Sequence, residues 1–239
     1  MDIKKIKREI RQHVWELESS NIATFPRPVY GRIPNFRGAD TAARKLIELE
    51  EFKRAKTLKV SPDAPQQPVR YLTLLAGKLL VMPPPRLRSY LVLLDPKVIP
   101  RNASHKASTI AGAFTYGKPL LFDEKFRVDF VVMGSVAVSS SGARIGKGEG
   151  YAELEYAVLK TMSAINESIP VATTVHDIQL INNIPSEDHD VPIDIIMTPT
   201  KVIRTYTKLP KPRGIIWSKV TEEMLQKMPI LRELKEKYR

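Results

Sequence analysis

The sequence predicts an α/β protein, a three-layer α/β/α sandwich around a mostly parallel sheet, and three observations lead there. Short β-rich runs alternate with segments of helical periodicity, which is the pattern of parallel strands joined by crossover helices. A glycine-rich loop stands between a β-rich run and a helix, the position where open α/β sheets keep their ligand sites. The chain has 239 residues, 43% of them apolar, enough to bury a substantial core as one domain spanning 1–239.

The first segment, DIKKIKREIRQHVWELES, sets Ile3, Ile6, Ile10, Val14 and Leu17 at helical spacing with Lys4, Lys5, Lys7, Arg8 and Arg11 on the other faces, a basic amphipathic helix. FPRPVYGRIPNFRGADTA follows, and its prolines and glycines forbid regular structure. Asp40 or Thr41 is placed to cap a helix over AARKLIELEEFKRA. Beyond it AKTLKV reads as a strand, VRYLTLLAG as a helix ending at Gly77, and KLLVMP and RSYLVLLDP as strands. A basic stretch, KVIPRNASHKASTIAGAFTYGKP, interrupts the alternation. Val128–Val132 reads as the central strand, followed by the glycine loop, a helix with Leu154, Val158, Met162 and Ile165 on one face, and the strand VATTV. DIIMTPTKVIRTYT reads as a hairpin split at Thr198-Pro199, and the C-terminal tail as a charged helix interrupted by Pro229.

Lys and Arg total 38 against 26 acidic residues, a formal charge of +12, so nucleotides, polyglutamates and RNA are the partner classes favoured. There is no cysteine, which excludes disulfides, Cys-ligated metals and thiol catalysis. No run is apolar and long enough to span a bilayer, and the expected compartment is the cytoplasm. Neither charge nor length fixes an oligomeric state.

GARIGKGEGYAELEYAVLK supplies the candidate site. Gly146, Gly148 and Gly150 allow close approach to the backbone, and the helix from Tyr151 offers unpaired N–H groups and a partial positive charge, so an anion is the natural guest. Three residues instead of four precede Gly146-Lys147, and Gly148 follows, so this is not a Walker A loop; G-x-G-x-G is not the dinucleotide fingerprint either. A ligand-free turn explains the glycines equally well, and Arg144 and Lys147 tip the balance toward an anion site. His176-Asp177 and His189-Asp190 read as structural rather than as a zinc centre, because no helical H-x-x-x-H pair accompanies them.

Several stretches together resemble the 5-formyltetrahydrofolate cyclo-ligase family, the methenyltetrahydrofolate synthetases. The loop Arg144-Ile145-Gly146-Lys147-Gly148-Glu149-Gly150-Tyr151-Ala152-Glu153 is similar to that family's R-L-G-x-G-x-G-Y-Y-D, KREIR (Lys7–Arg11) to its K-x-x-L-R, and HDVPIDIIMT to its D-x-x-V-D-x-V-x-T. GRIPNFRGAD and SPDAPQQPVR resemble the methenyltetrahydrofolate-synthetase-domain proteins in particular. The resemblance implies the fold shared with sugar-phosphate isomerases and CoA transferases, and ATP- and Mg²⁺-dependent closure of 5-formyltetrahydrofolate to 5,10-methenyltetrahydrofolate. It implies that Lys7 and Arg11 face ATP phosphates, that Arg144 and Lys147 clamp them beside Gly146, Gly148 and Gly150, that Tyr151 shapes the pocket, and that Glu153 and Asp194 share Mg²⁺. Two departures stand out. Glu153 replaces the family's Asp, and SPDAPQQPVR lacks the usual substrate-contacting Glu and Thr, so that either Asp63 or Gln66 substitutes or the folate site is remodelled. A reduced folate is the implied substrate, or, for a closely related ATP-using ligase, another formylated or carboxylated anion. The second function class is a nucleotide- or RNA-binding module on the same fold, supported by the basic first helix, the arginine loop Arg27–Arg37 and the stretch Arg86–Arg101 with Tyr90.

Overall fold

Alternate residues of the central strands fall into two separate apolar cores, so the sheet is covered on both faces. The structure is a computed structural model that describes residues 2–84, 90–122 and 124–237. The chain opens with α1 (Ile3–Asn21), α2 (Ala39–Arg44), a 3-10 turn and α3 (Glu50–Arg54). Next come β1 (Thr57–Val60), α4 (Gln67–Leu75), β2 (Leu79–Met82), β3 (Tyr90–Leu94), α5 (Ser104–Ala107), α6 (Ile110–Tyr116) and β4 (Lys118–Leu121). β5 (Phe130–Val132) leads to a small ribbon, β6 (Ala137–Val138) and β7 (Arg144–Ile145), then to α7 (Tyr151–Thr161) and β8 (Val171–Thr174). The hairpin β9 (Ile195–Met197) and β10 (Val202–Arg204) precedes α8 (Glu222–Lys227) and α9 (Pro229–Lys237).

The sheet order is β10-β9-β8-β5-β1-β2-β3-β4. β9, β8, β5, β1 and β2 run parallel, and β10, β3 and β4 are antiparallel at the margins. Leu58, Leu80, Phe130, Val132 and Met197 join the core beneath α2 to α6, while Val81, Val131, Val171 and Ile196 join the core beneath α7 to α9. This is the expected three-layer sandwich. The edge strand β4 carries Lys118 and Pro119, which discourage pairing with another strand.

Four local expectations give way to tertiary packing. The helix anticipated over residues 42–55 breaks at Leu49, whose extended backbone turns its side chain into the core and starts α3. Gly38, at φ +91°, takes the cap position of α2, and Asp40 sits in the first turn instead. The basic stretch 97–119 is ordered as α5, α6 and β4. The central strand does not pass directly into the glycine loop, because the β6–β7 ribbon intervenes. Arg86, part of the basic stretch singled out above, lies outside the described residues.

Pro229 opens α9, where its missing N–H costs nothing, and Leu225, Met228, Ile230, Leu231 and Leu234 dock the tail on the second core. In α1, Val14 is buried and Glu18 is 0% exposed with neither carboxylate oxygen hydrogen-bonded. Burial alone pushes the Glu18 carboxyl up from its ordinary 4.5 to about 7. Between those values the folded chain keeps a proton that the unfolded chain releases, so stability is greatest at the acid end and declines as pH rises through about 7. Urea titrations between about pH 5 and pH 8 should show that decline, and Glu18→Gln should flatten it and stabilise the protein at pH 8 by about 3 kcal/mol.

Candidate functional site at the carboxyl edge of the sheet

β1 and β5 are neighbours, and the residues just past their carboxyl ends, Asp63 and Gly134, both line a cavity of about 790 Å³. α1, the glycine loop, the first turns of α7, residues 187–190 and residues 212–224 enclose it. The volume suits a small-molecule ligand.

Arg144 opens β7 with its guanidinium turned inward, 2% exposed. Nη1 donates to the Gly134 carbonyl at 2.5 Å, and Nη2 pairs with Glu153 in the first turn of α7. One side chain therefore ties the end of β5, the glycine loop and α7 together. Arg11 reaches across from α1, and its Nε donates to the Gly146 carbonyl at 3.0 Å. The glycines serve these two guanidinium planes. A Cβ on Gly146 would lie 3.3 Å from both Arg144 Nη atoms, and one on Gly148, at φ +102°, would lie 3.1 Å from Arg11 Cζ. Lys147 stands half-exposed at the rim, paired with Glu149 at 2.7 Å, which offsets the negative charge inside the loop. Gly150, at φ +74°, caps α7, and Tyr151 opens the helix as part of the lining.

Lys7 is buried rather than solvated. Its Nζ lies 2.9 Å from Glu187 Oε2 and 2.6 Å from Asp190 Oδ2, and Asp190 also accepts from the Glu187 N–H at 2.7 Å. Lys4, one turn before it, and Arg8, next to it on the same helix, extend the cationic wall. Glu187, His189 and Asp190 offer ligand atoms within 4.8 Å of one another, but Lys7 already neutralises the two carboxylates. His176 has a structural role, its Nδ1 accepting from the Ile178 N–H at 3.3 Å.

Asp194 does not share an ion with Glu153. It stands at the amino end of β9, opposite the edge that bears the cavity, where its Oδ2 accepts from the Val171 N–H at 2.8 Å and from Lys211 Nζ at 2.6 Å. Asp190, four residues earlier in the same motif, is the aspartate that faces the cavity. Sequence reasoning also missed Gly134, Glu187, Lys4, Arg8 and the whole of 212–224; Asp190 was already marked by its place in HDVPID.

The segment SPDAPQQPVR gives the cavity one floor residue, Asp63, with Gln66 buried beside Gly134. Gln66 Nε2 donates to Thr174 Oγ1 at 2.9 Å, leaving its buried Oε1 without a partner. Asp63 Oδ2 and Gln66 Oε1 lie 2.6 and 3.0 Å from where a Cβ of Gly134 would stand, so two acceptors converge over that glycine. Burial pushes the Asp63 carboxyl up, opposed most strongly by the Lys147 cation. Arg70, wholly buried, fixes this floor by donating to the Ser61 and Asp63 carbonyls at 2.6 and 3.0 Å. Beneath it Lys59 of β1 pairs with Glu155 of α7 at 2.6 Å, joining the central strand to the helix that carries Tyr151 and Glu153.

If the glycines exist to admit the two guanidinium groups, Gly148→Ala should cost at least twice the penalty of about 1 kcal/mol expected for Gly31→Ala, whose positive φ faces open space. Thermal melts of the two variants make the comparison.

The chain matches the 5-formyltetrahydrofolate cyclo-ligase family over residues 3–199. It is 50% identical over 235 residues to a methenyltetrahydrofolate synthase domain-containing protein of Bos taurus, covering 96% of this chain and 62% of that one. The Homo sapiens protein of that name is 46% identical, with 96% and 61% covered, so the chain spans about three-fifths of the length of these relatives. The solved 5,10-methenyltetrahydrofolate synthetase of Aquifex aeolicus shares the fold at a TM-score of 0.54 and 21% identity, covering 84% of this chain and 93% of that one. The inward Arg144, the glycine loop it supports and the buried Lys7 lie within the matched region, and the chain belongs to the 5-formyltetrahydrofolate cyclo-ligase family.

Proposed function

We propose that the chain uses ATP to convert 5-formyltetrahydrofolate to 5,10-methenyltetrahydrofolate. The observation that supports this most is the shape of the charge: Lys4, Lys7, Arg8 and Arg11 on one helix face Lys147 and the glycine loop across a single cavity whose floor presents Asp63. Such a site suits a polyanion beside a hydrogen-bonding heterocycle. In the reaction the formyl oxygen takes the terminal phosphoryl group of ATP as ADP departs, and the neighbouring folate nitrogen then attacks the activated carbon as phosphate leaves. Cations held in fixed positions stabilise the transferring group, which is where most of the catalysis in phosphoryl transfer resides. Lys147, half-exposed at the rim, contacts the phosphates; Arg144 and Arg11 hold the loop in place; Asp63 and the unpartnered Gln66 oxygen accept N–H groups of the folate.

Glu153, Glu187 and Asp190 face the cavity already paired with Arg144 or Lys7, and Mg²⁺ entering with the phosphates would have to share these hard oxygen donors with those cations. The ion would supply charge neutralisation at the transferring phosphoryl. No helix among the described residues is long and apolar enough to cross a membrane. We place the reaction in the cytoplasm.

Incubation with 5-formyltetrahydrofolate, ATP and Mg²⁺ should raise the methenyl absorbance, and omission of ATP should abolish the rise. Lys147→Ala should lower kcat/KM by about 10- to 100-fold with an unchanged melting temperature, the cost of one charge-assisted contact. A flat trace with folded wild-type protein overturns the assignment.

A second reading, binding of single-stranded RNA, has its own observation. Phe25 is 86% exposed, Tyr30 is exposed beside Trp15, and Arg27, Arg32 and Arg37 are exposed around them. Bare aromatics among arginines suit stacked bases and phosphates. Phe25→Ala combined with Arg27→Ala should weaken binding to a short unstructured RNA at least about tenfold, and an unchanged titration removes this reading.

A further inference from the structure

Residues 212–224 form one wall of the cavity, and all of them lie past residue 199, where the match to the family ends. The wall is anchored along its length. Before it, Lys211 Nζ lies 2.6 Å from Asp194 Oδ2 and 2.6 Å from the Ile169 carbonyl. Next, the Ile215 N–H donates to Thr161 Oγ1 at the end of α7 at 3.1 Å. In its middle Lys219 pairs with Asp188, and after it α8 and α9 are buried in the second core. Asp194, which the family resemblance assigned to the metal, is one of these anchors.

The chemistry of this wall differs from that of its opposite. Ile216, Val220 and Met224 present half-buried apolar surface to the cavity, and Met224 Cε lies 3.9 Å from where a Cβ of Gly150 would stand. Tyr151 lines the same end of the cavity from the first turn of α7. The cavity is therefore cationic on the α1 side and apolar beside the last glycine of the loop. A nucleotide whose α-phosphate met the glycine loop would have its base one sugar away, within reach of this apolar end.

We propose that residues 212–224 recognise the base of the bound nucleotide, a flat uncharged heteroaromatic ring lying against Ile216, Val220 and Met224 with Tyr151 beside it. This makes the segment, which lies beyond the family match, a specificity element. It rests on the nucleotide reading of the site given above.

Calorimetry with two probes, ATP and inorganic tripolyphosphate, separates base recognition from phosphate recognition. Wild type should bind ATP more tightly than tripolyphosphate. Ile216→Ala combined with Met224→Ala should weaken ATP about tenfold or more, as expected for lost apolar contact, and leave tripolyphosphate unchanged. Met224→Leu should retain both affinities, and single Met224→Ala serves if the double variant melts early. Equal wild-type affinity for the two probes, or a variant that loses both equally, overturns the inference while leaving the phosphate site in place. Loss of 5-formyltetrahydrofolate binding with ATP unaffected would assign the wall to the folate and overturn it too. Wild type that binds neither polyphosphate fails the nucleotide reading itself, and the inference falls with it.

Discussion

A buried arginine with two partners holds the site together. Arg144 is almost inaccessible to water, and its charge is tolerated only because Glu153 neutralises it and the Gly134 carbonyl accepts from it. Removing either partner would strand a cation in the protein interior. That requirement fixes three separate pieces of chain against one another, the end of β5, the glycine loop and the start of α7. The same device is used below and above it. Lys59 and Glu155 make a pair in the core, and Lys147 and Glu149 make one at the rim. Three cations thus run from core to rim, each matched by a glutamate within residues 149–155. The loop and its helix contribute little net charge to the cavity.

The field a ligand meets therefore comes mainly from α1. Lys7 is matched by Glu187 and Asp190, so it acts as a buried peg that seats the helix against the late part of the chain. Lys4, Arg8 and Arg11, disposed around that peg, face the cavity and would draw in a polyanion. Charge that holds the site in shape is buried and paired, and charge that attracts the ligand is nearer to water.

Much of this was legible before any coordinates. The strands were marked by apolar runs of the right length, and the glycine loop by a spacing that few structures need. What was hidden depends on where the chain returns in space. Asp190 and Asp194 belong to one motif, yet residue 194 already stands just before β9 at the amino edge of the sheet, so the four-residue gap separates a cavity residue from an anchor. The ribbon β6–β7 has two residues on each side, too few for periodicity to register. Residues 212–224 have no repeating pattern, and their apolar side chains acquire meaning only once Lys211 and α8 set them against Gly150. The glycines were read as room for a phosphate, while in the folded chain they first make room for two arginine planes.

Lys7 and Asp190 are separated by 183 residues, and ribosomes deliver the first long before the second. During synthesis Lys7 emerges without its acidic partners and stays without them until 180 further residues have been made. A nascent polypeptide of this kind presents a cationic amphipathic surface beside the polyanionic ribosome for many seconds, at elongation rates of about 5–20 residues per second. Closure of the cavity is then a late event, since its last wall is translated after every strand of the sheet. Vectorial synthesis thus lets the sheet assemble before the residues that will bind ligand can do so.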